Sequence, residues 1–393
     1  MKRFDTIIIG AGAAGLMCAI EAGKRKRKVL VLDHANKVGK KILMSGGGRC
    51  NFTNYNVTAS HYLSHNPHFC KSALSRYTPY HFIDLVKQYK IPFHEKTKGQ
   101  LFCDNKSQDI VDLLLSECKK YQIVIQTHTT VEKINKLEHA HFNLLTNQGT
   151  YVCESLVIAT GGLSIPTMGA SPFGYKIAEQ FNLKVWPTRA GLVPLTLHPE
   201  DKEIISSLSG ISVDSIIQSE RKSFDDFLLF THRGLSGPSI LQISSYWEPG
   251  ETISINLLPQ INLQNELKRL QKNSPNVLFK TVLSDYLPKR LVTAIIPESI
   301  SERPLQLFSH KQFEEIALQI HSWKLKPNGT EGYRTAEVTI GGVDCDAISS
   351  KTMEANQVPG LYFIGEILDV TGWLGGYNFQ WAWASGFVAG QFV

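Results

Sequence analysis

Between Thr6 and Asp33 the chain reads strand, glycine turn, helix, strand, acid. Few folds accept that order. Thr6-Ile7-Ile8-Ile9 is a β-branched run suited to a buried parallel strand. Gly10, Gly12 and Gly15 follow as G-x-G-x-x-G, then a helical stretch from Ala13 to about Ala22. A second apolar run, Val29 to Leu32, ends in Asp33. Gly10 permits a tight turn, Gly12 lets backbone approach a pyrophosphate, and Gly15 lets helix and strand pack closely. Ala13, Ala14 and Gly15 open a helix whose free N–H groups and dipole favour an anion. Asp33 falls about 20 residues on, where a nucleotide ribose is held. The stretch predicts a dinucleotide site. Lys2 and Arg3 before an apolar run also fit a signal peptide, but Asp5, Glu21 and the three glycines break that reading.

The 393 residues allow two or three domains, and no segment reaches the roughly 18 uninterrupted apolar residues of a membrane span. No membrane partner is expected. The net charge of +6 is modest, and much of it lies in Lys24-Arg25-Lys26-Arg27-Lys28, where the first helix should end. Cations there complement a helix C-terminus. No aromatic residues interleave with them, so a nucleic-acid partner is not expected. Seven scattered cysteines with no C-x-x-C pair exclude a zinc ribbon or a redox dithiol and predict a reducing, cytoplasmic compartment. The sequons at Asn51, Asn56 and Asn328 are then chance. No metal site is predicted.

Further along, Lys40 to Asn54 carries Ser45-Gly46-Gly47-Gly48-Arg49-Cys50-Asn51. It lacks the Walker A order. It describes backbone passing close to something flat or anionic, with Lys40 or Lys41 in reach of a phosphate. Residues 70 to 120 show helical spacing around short strands between Ile91 and Cys103, and a strand opens at Val131. Ser155 to Ile158 is a buried strand ending in Ala159-Thr160-Gly161-Gly162, a turn expected beside the first glycine turn. Residues 191–275 are β-rich and residues 276–324 helical. Residues 336–393 return to the opening theme: a strand ends in Gly365-Glu366, Asp369 follows, and Gly375-Gly376-Tyr377-Asn378 opens a helix.

A late strand ending in Gly-Glu, followed by a glycine-led helix, fits FAD better than NAD alone. The segments GAGAAG (10–15), KKILMSGGGRCNFTN (40–54), ATGG (159–162), FTHRGLSGP (230–238), VTIGGV (338–343) and GEILDVTGWLGGYNFQWAWASG (365–386) resemble the BaiN-like, YhiN-type flavoproteins from end to end. That family's members are NAD(P)/FAD-dependent oxidoreductases and include aminoacetone-oxidase-like proteins. The resemblance implies an α/β chain: a discontinuous, glutathione-reductase-type Rossmann FAD domain (1–190 and 336–393), an inserted β-barrel (191–275 and 325–335) and a nested helical subdomain (276–324). Cofactor contacts are expected from Gly10, Gly12, Ala13, Ala14, Gly15, Asp33, Lys40, Lys41, Ser45, Gly46, Gly47, Gly48, Arg49, Asn51, Val131, Thr160, Gly161, Gly365, Glu366, Asp369, Gly375, Gly376, Tyr377 and Asn378. Many FAD proteins carry Glu where this chain has Asp33. No second G-x-G-x-x-G marks a site for NAD(P)H as reductant.

The flavin, bound without a covalent link, would carry the redox step by hydride transfer to or from a small organic substrate. His232, Tyr377 and Cys50 are the candidate catalytic residues. Each has a structural reading: a hydrogen-bonded turn for His232, a flavin contact for Tyr377, packing in a glycine loop for Cys50. Two alternatives are a tRNA-modifying flavoprotein and a flavin-binding protein without catalysis.

Overall fold

The computed structural model describes residues 2–137 and 141–393. Chain contacts divide it into Met1–Arg189 with Val338–Val393, and Ala190–Glu337.

The first unit opens with β1 (Thr6–Ile9), α1 (Ala13–Lys24) and β2 (Val29–Leu32). Next come α2 (Lys40–Met44), β3 (Asn51–Asn54), β4 (Tyr62–Leu63) and α3 (Pro79–Gln88). The strands β5 (Phe93–Glu95), β6 (Gln100–Cys103), β7 (Val124–Gln126) and β8 (Ser155–Ile158) follow. Every residue of β1 and β2 is buried, as strands covered on both faces must be. β3, β6 and β5 form a small antiparallel sheet in that order. Strand Val131–Lys136 belongs to a separate four-stranded sheet.

The second unit contains β9 (Leu195–Leu197), β10 (Ser212–Gln218), β11 (Ser223–Thr231), β12 (Gly234–Ser236) and β13 (Ile253–Asn256). β14 (Trp323–Leu325) and β15 (Pro327–Thr330) complete a seven-stranded sheet, order β14-β13-β10-β11-β12-β9-β15. Only Lys326 separates the two edge strands. β14 pairs with β13 and β15 with β9, so one stretch of chain joins both edges and closes the sheet into a barrel. Val213, Ile217, Leu228 and Phe230 are buried within it. The helical part begins earlier than the sequence pattern predicts. Helix Leu263–Asn273 lies in the stretch expected to be β-rich, because the Asn262 side chain accepts the Asn265 N–H at 3.1 Å and caps it.

Back in the first unit, β16 (Leu361–Phe363), β17 (Thr371–Gly372) and α4 (Tyr377–Gly390) end the chain. The parallel sheet has order β16-β8-β1-β2-β7, with Ile7 level with Leu156 on one side and Leu30 on the other. α4 lies against α1: a Cβ on Gly386 would stand 2.4 Å from the Ala14 carbonyl oxygen. The cationic cluster after α1 is largely absorbed by the fold. Lys24 pairs with Glu21 at 2.5 Å and Arg27 with Glu154 at 2.9 Å, and Lys28 lies over the Phe4 ring. Arg25 donates to the Gly390 and Val393 carbonyls at 3.1 and 2.7 Å. It therefore serves the C-terminal end of α4 as well as sitting behind α1.

Candidate functional site

The glycines of the first turn divide by what surrounds them. A Cβ on Gly10 would meet the Ala159 carbonyl oxygen at 2.3 Å, and one on Gly15 the Gly10 carbonyl oxygen at 1.9 Å. Those two are required by the protein itself. Gly12 has φ −88°, open to any residue, and nothing lies within 4 Å of where its Cβ would be. The space in front of it fits a ligand's approach. α1 begins there with no acidic residue in its first turn and no side-chain cap, so the N–H groups of Ala13, Ala14 and Gly15 meet an anion without competition.

Asp33 turns back onto this loop. Its Oδ2 accepts the Ala11 N–H and its Oδ1 the Ala35 N–H, both at 2.8 Å. A carboxylate has lone pairs left for a ribose hydroxyl. The Thr129 N–H donates to the Asp33 carbonyl at 2.9 Å, which brings the segment leading to Val131 to the same end. The Ala159-Thr160-Gly161-Gly162 turn lies on the first glycine turn, as expected: the Ala159 N–H donates to the Ile9 carbonyl at 2.9 Å.

Lys41 and Glu366 meet across 325 positions of sequence, at 2.8 Å. Lys41 also donates to Ser164 Oγ at 2.7 Å. Glu366 accepts the Thr339 N–H at 2.9 Å and the Ser164 hydroxyl at 3.1 Å. Burial pushes the Glu366 carboxyl up, but the Lys41 ammonium and these donors outweigh it and hold the group below its ordinary value. It is ionised and fully engaged by the protein. Ser164 and Thr339 were not singled out in the sequence; the polar residue trailing ATGG and the Thr inside VTIGGV were the available signals.

The glycine-rich loop takes left-handed backbone at Gly46, Gly47 and Gly48, with φ 57°, 65° and 86°. Around Gly47 and Gly48 a Cβ would meet nothing within 4 Å, whereas one on Gly46 would meet Phe102 at 2.8 Å. Such a turn presents backbone N–H groups outward. Ser45 turns inward to the Ile42 carbonyl at 2.8 Å, Arg49 is exposed and Lys40 half-buried, and Asn51 meets the Gln100 amide at 3.0 Å. Cys50 is fully buried with φ 49°. Burial pushes its thiol well up, as for a thiol packed in the loop.

α4 supplies the second open helix N-terminus, again with no acidic residue in its first turn. Gly375 and Gly376 have φ 110° and 92°, and a Cβ on Gly376 would lie 2.4 Å from the Thr53 carbonyl oxygen. That contact seats the helix start against β3. Asn378 does not present its side chain outward: it exchanges hydrogen bonds with Gly372 at 2.8 and 2.9 Å. Its remaining contribution is backbone. Gly365 gives its N–H to Ser385 Oγ at 3.0 Å. Tyr377 is buried, packed on His61 and Trp373, and its phenol is pushed up by burial.

Two histidines beside this helix were missed in the sequence. His61 lies 4.6 Å from Trp373 and 4.8 Å from Tyr377, ring centre to ring centre. Its Nδ1 accepts the Thr58 N–H at 3.2 Å, which puts the proton of the neutral ring on Nε2. His65 Nδ1 faces the Asp369 carboxylate at 2.8 Å and its ring stacks on Trp186 at 3.7 Å. Asp369, expected at the cofactor, is thus holding His65. His232 belongs to the other unit. It is exposed in the turn between β11 and β12, where Thr231 Oγ1 accepts the Arg233 and Gly234 N–H groups. The turn caps itself, which explains the polar cluster without a ligand. Among the described residues no cluster of His, Cys, Asp or Glu could hold a metal, and no helix is long and apolar enough to cross a membrane.

These residues fit FAD. α1 would receive the pyrophosphate, Asp33 the adenosine ribose, and the start of α4 the electron-rich end of the flavin.

Comparison with known proteins agrees with the geometry. The family profile described as "HI0933-like protein Rossmann domain" matches residues 4–392. A ribosomal RNA dihydrouridine synthase of Escherichia coli (strain K12) is 55% identical, over 100% of this chain and 98% of its own. A 3-dehydro-bile acid delta(4,6)-reductase of Clostridium scindens (strain ATCC 35704 / DSM 5676 / VPI 13733 / 19) is 27% identical, over 98% of this chain and 97% of its own. The 3-ketosteroid-delta4-(5alpha)-dehydrogenase from Rhodococcus jostii RHA1 superposes with a TM-score of 0.51 at 12% identity, covering 99% of this chain and 97% of that one; it shares the fold. With one profile matched across nearly the whole chain, and the dinucleotide cradle built as described, the protein belongs to the HI0933-like Rossmann family of FAD-binding flavoprotein oxidoreductases.

Proposed function

We propose that this flavoprotein reduces the C5–C6 double bond of a uridine in ribosomal RNA, giving dihydrouridine. The observation that carries the reading is the 55% identity, over both units, to the ribosomal RNA dihydrouridine synthase. It favours an RNA base over the small organic substrate expected from sequence. The chemistry suits the site. Uracil C5=C6 is conjugated to a carbonyl, so reduction adds hydride at C6 and a proton at C5.

FAD, when bound and reduced, supplies the hydride. The chain binds the cofactor through the starts of α1 and α4 and supplies the proton. All seven cysteines are buried. His61 and the Tyr377 phenol, packed on each other at the start of α4, are the proton donors of this reading. His232 and Cys50 take no part in it. The bile-acid reductase favours a second reading, a small unsaturated ketone as substrate, but at half the identity.

One experiment separates the two. FAD-loaded protein is reduced anaerobically with NADH or NADPH, then mixed with ribosomal RNA lacking the modification or with an unsaturated 3-ketosteroid. Reoxidation of the flavin by the RNA alone is the expected result. Reoxidation by the steroid alone overturns the reading.

A further inference from the structure

The obvious basic cluster, Lys24 to Lys28, is largely taken up by the fold. A second cationic surface is scattered in sequence and assembled by the first unit. Residues 87 to 106 carry Lys87, Lys90, Lys96, Lys98 and Lys106 against Glu95 and Asp104. Asp104 is paired with His94 at 2.6 Å, and Glu95 accepts the Gly99 N–H at 3.0 Å.

This stretch wraps the glycine loop. The Ser107 N–H donates to the Gly48 carbonyl at 2.7 Å, and the Cys103 N–H to the Arg49 carbonyl at 2.9 Å. Lys106 and Arg49 are thereby brought to one edge of the loop. Lys96 lies over the Phe102 ring at 5.6 Å, and that ring packs on Gly46. Arg49, Lys96 and Lys106 are exposed and make no ion pair among the described residues. At the far end of β3 the Tyr55 N–H donates to Gly99, and the Tyr55 ring packs beside Tyr80, 6.1 Å away and 60% exposed. Between the cations and the tyrosines, Thr53 and Gln100 seat the start of α4.

Solvated lysines alone would be an ordinary surface. A cationic track with an exposed aromatic at one end, running past the start of α4, has the composition of a single-strand nucleic-acid groove. We propose that the face formed by β3, β5, β6 and the 46–48 loop binds the single-stranded RNA flanking the target base. Arg49, Lys96 and Lys106 take phosphates and Tyr80 stacks a base. The assignment rests on the ribosomal RNA reading above and says where that RNA lies.

The test uses FAD-loaded full-length protein and an unstructured, fluorescently labelled RNA oligonucleotide, with affinity measured across a salt series. Lys96→Gln with Lys106→Gln should weaken binding about tenfold at low salt and flatten the salt slope by about 1.4, roughly 0.7 per lost phosphate contact on a single strand. Tyr80→Ala should weaken it severalfold with the slope unchanged. Lys26→Gln, in the other cluster, should change neither. The flavin spectrum and melting temperature report that each variant is intact. No RNA binding by the wild type, an unchanged slope in the double variant, or an equal loss in Lys26→Gln overturns the assignment. So does equal, Lys96-dependent binding to anionic phosphatidylglycerol vesicles, which would favour a membrane surface. The two readings fail separately. If RNA binds through these residues but no dihydrouridine forms, the surface stands and the reaction falls. If dihydrouridine forms at an undiminished rate in the double variant, the surface falls alone.

Discussion

Gly12 and Gly15 lie three positions apart in one motif, yet different neighbours fix them. At Gly12 a Cβ meets no protein atom within 4 Å, so Gly12→Ala and Gly12→Val should leave the apoprotein's melting behaviour within about 0.5 kcal/mol of wild type, while FAD retention is lost. Gly15→Ala forces a Cβ onto the Gly10 carbonyl and should destabilise the apoprotein by about 1–3 kcal/mol. Thermal melts with and without FAD distinguish the two. Glu366 gives a pH prediction. Its folded-state pKa lies below the ordinary 4.5, so it contributes stability above that value, and the contribution is lost as pH falls through the folded value. The melting temperature of wild type should fall more steeply on acidification than that of Glu366→Gln; parallel curves would contradict the Lys41 pairing. At this scale glycine positions were legible, because only backbone approach or left-handed backbone explains them. Side-chain partners were not. Asn378 looks like a flavin contact until its amide is seen holding Gly372, and the Lys41–Glu366 pair spans too much chain to read.

α1 and α4 lie against each other through glycine, and each has an uncapped N-terminus at which FAD is expected. Gly386→Val would push against Ala14 and Met17 and should cost about 1–3 kcal/mol. It should weaken FAD retention as well, since both anion-binding ends depend on that packing. Denaturant titration and flavin release measure the two effects. β1, α1 and β2 were legible because two short apolar runs, each buried on both faces, bracket the glycine turn and the helix. The start of the helical part was placed too late, because Leu263 and Leu267 are too sparse an apolar stripe to announce a helix without its Asn262 cap. β5 and β6 were legible as strands; β3 was read as part of the glycine loop, and the placement of β5 and β6 beside the 46–48 loop rests on backbone bonds from Cys103 and Ser107.

At the scale of the whole chain, the discontinuous Rossmann unit was readable because its motifs recur at both ends. Barrel closure was legible only through the resemblance. It depends on Trp323 to Thr330 pairing with two strands far apart in sequence. The proposed RNA partner was not expected from the sequence for a physical reason: the visible cationic run is largely taken up by the fold, and the exposed cations on the proposed face are separated by strands and turns. The most direct measurement is nucleoside mass spectrometry of ribosomal RNA from cells lacking this protein, and from the same cells carrying wild type or Gly12→Val. The account predicts that dihydrouridine is missing from that RNA without the protein, returns with wild type, and does not return with Gly12→Val. Dihydrouridine present at the same level in all three would contradict it.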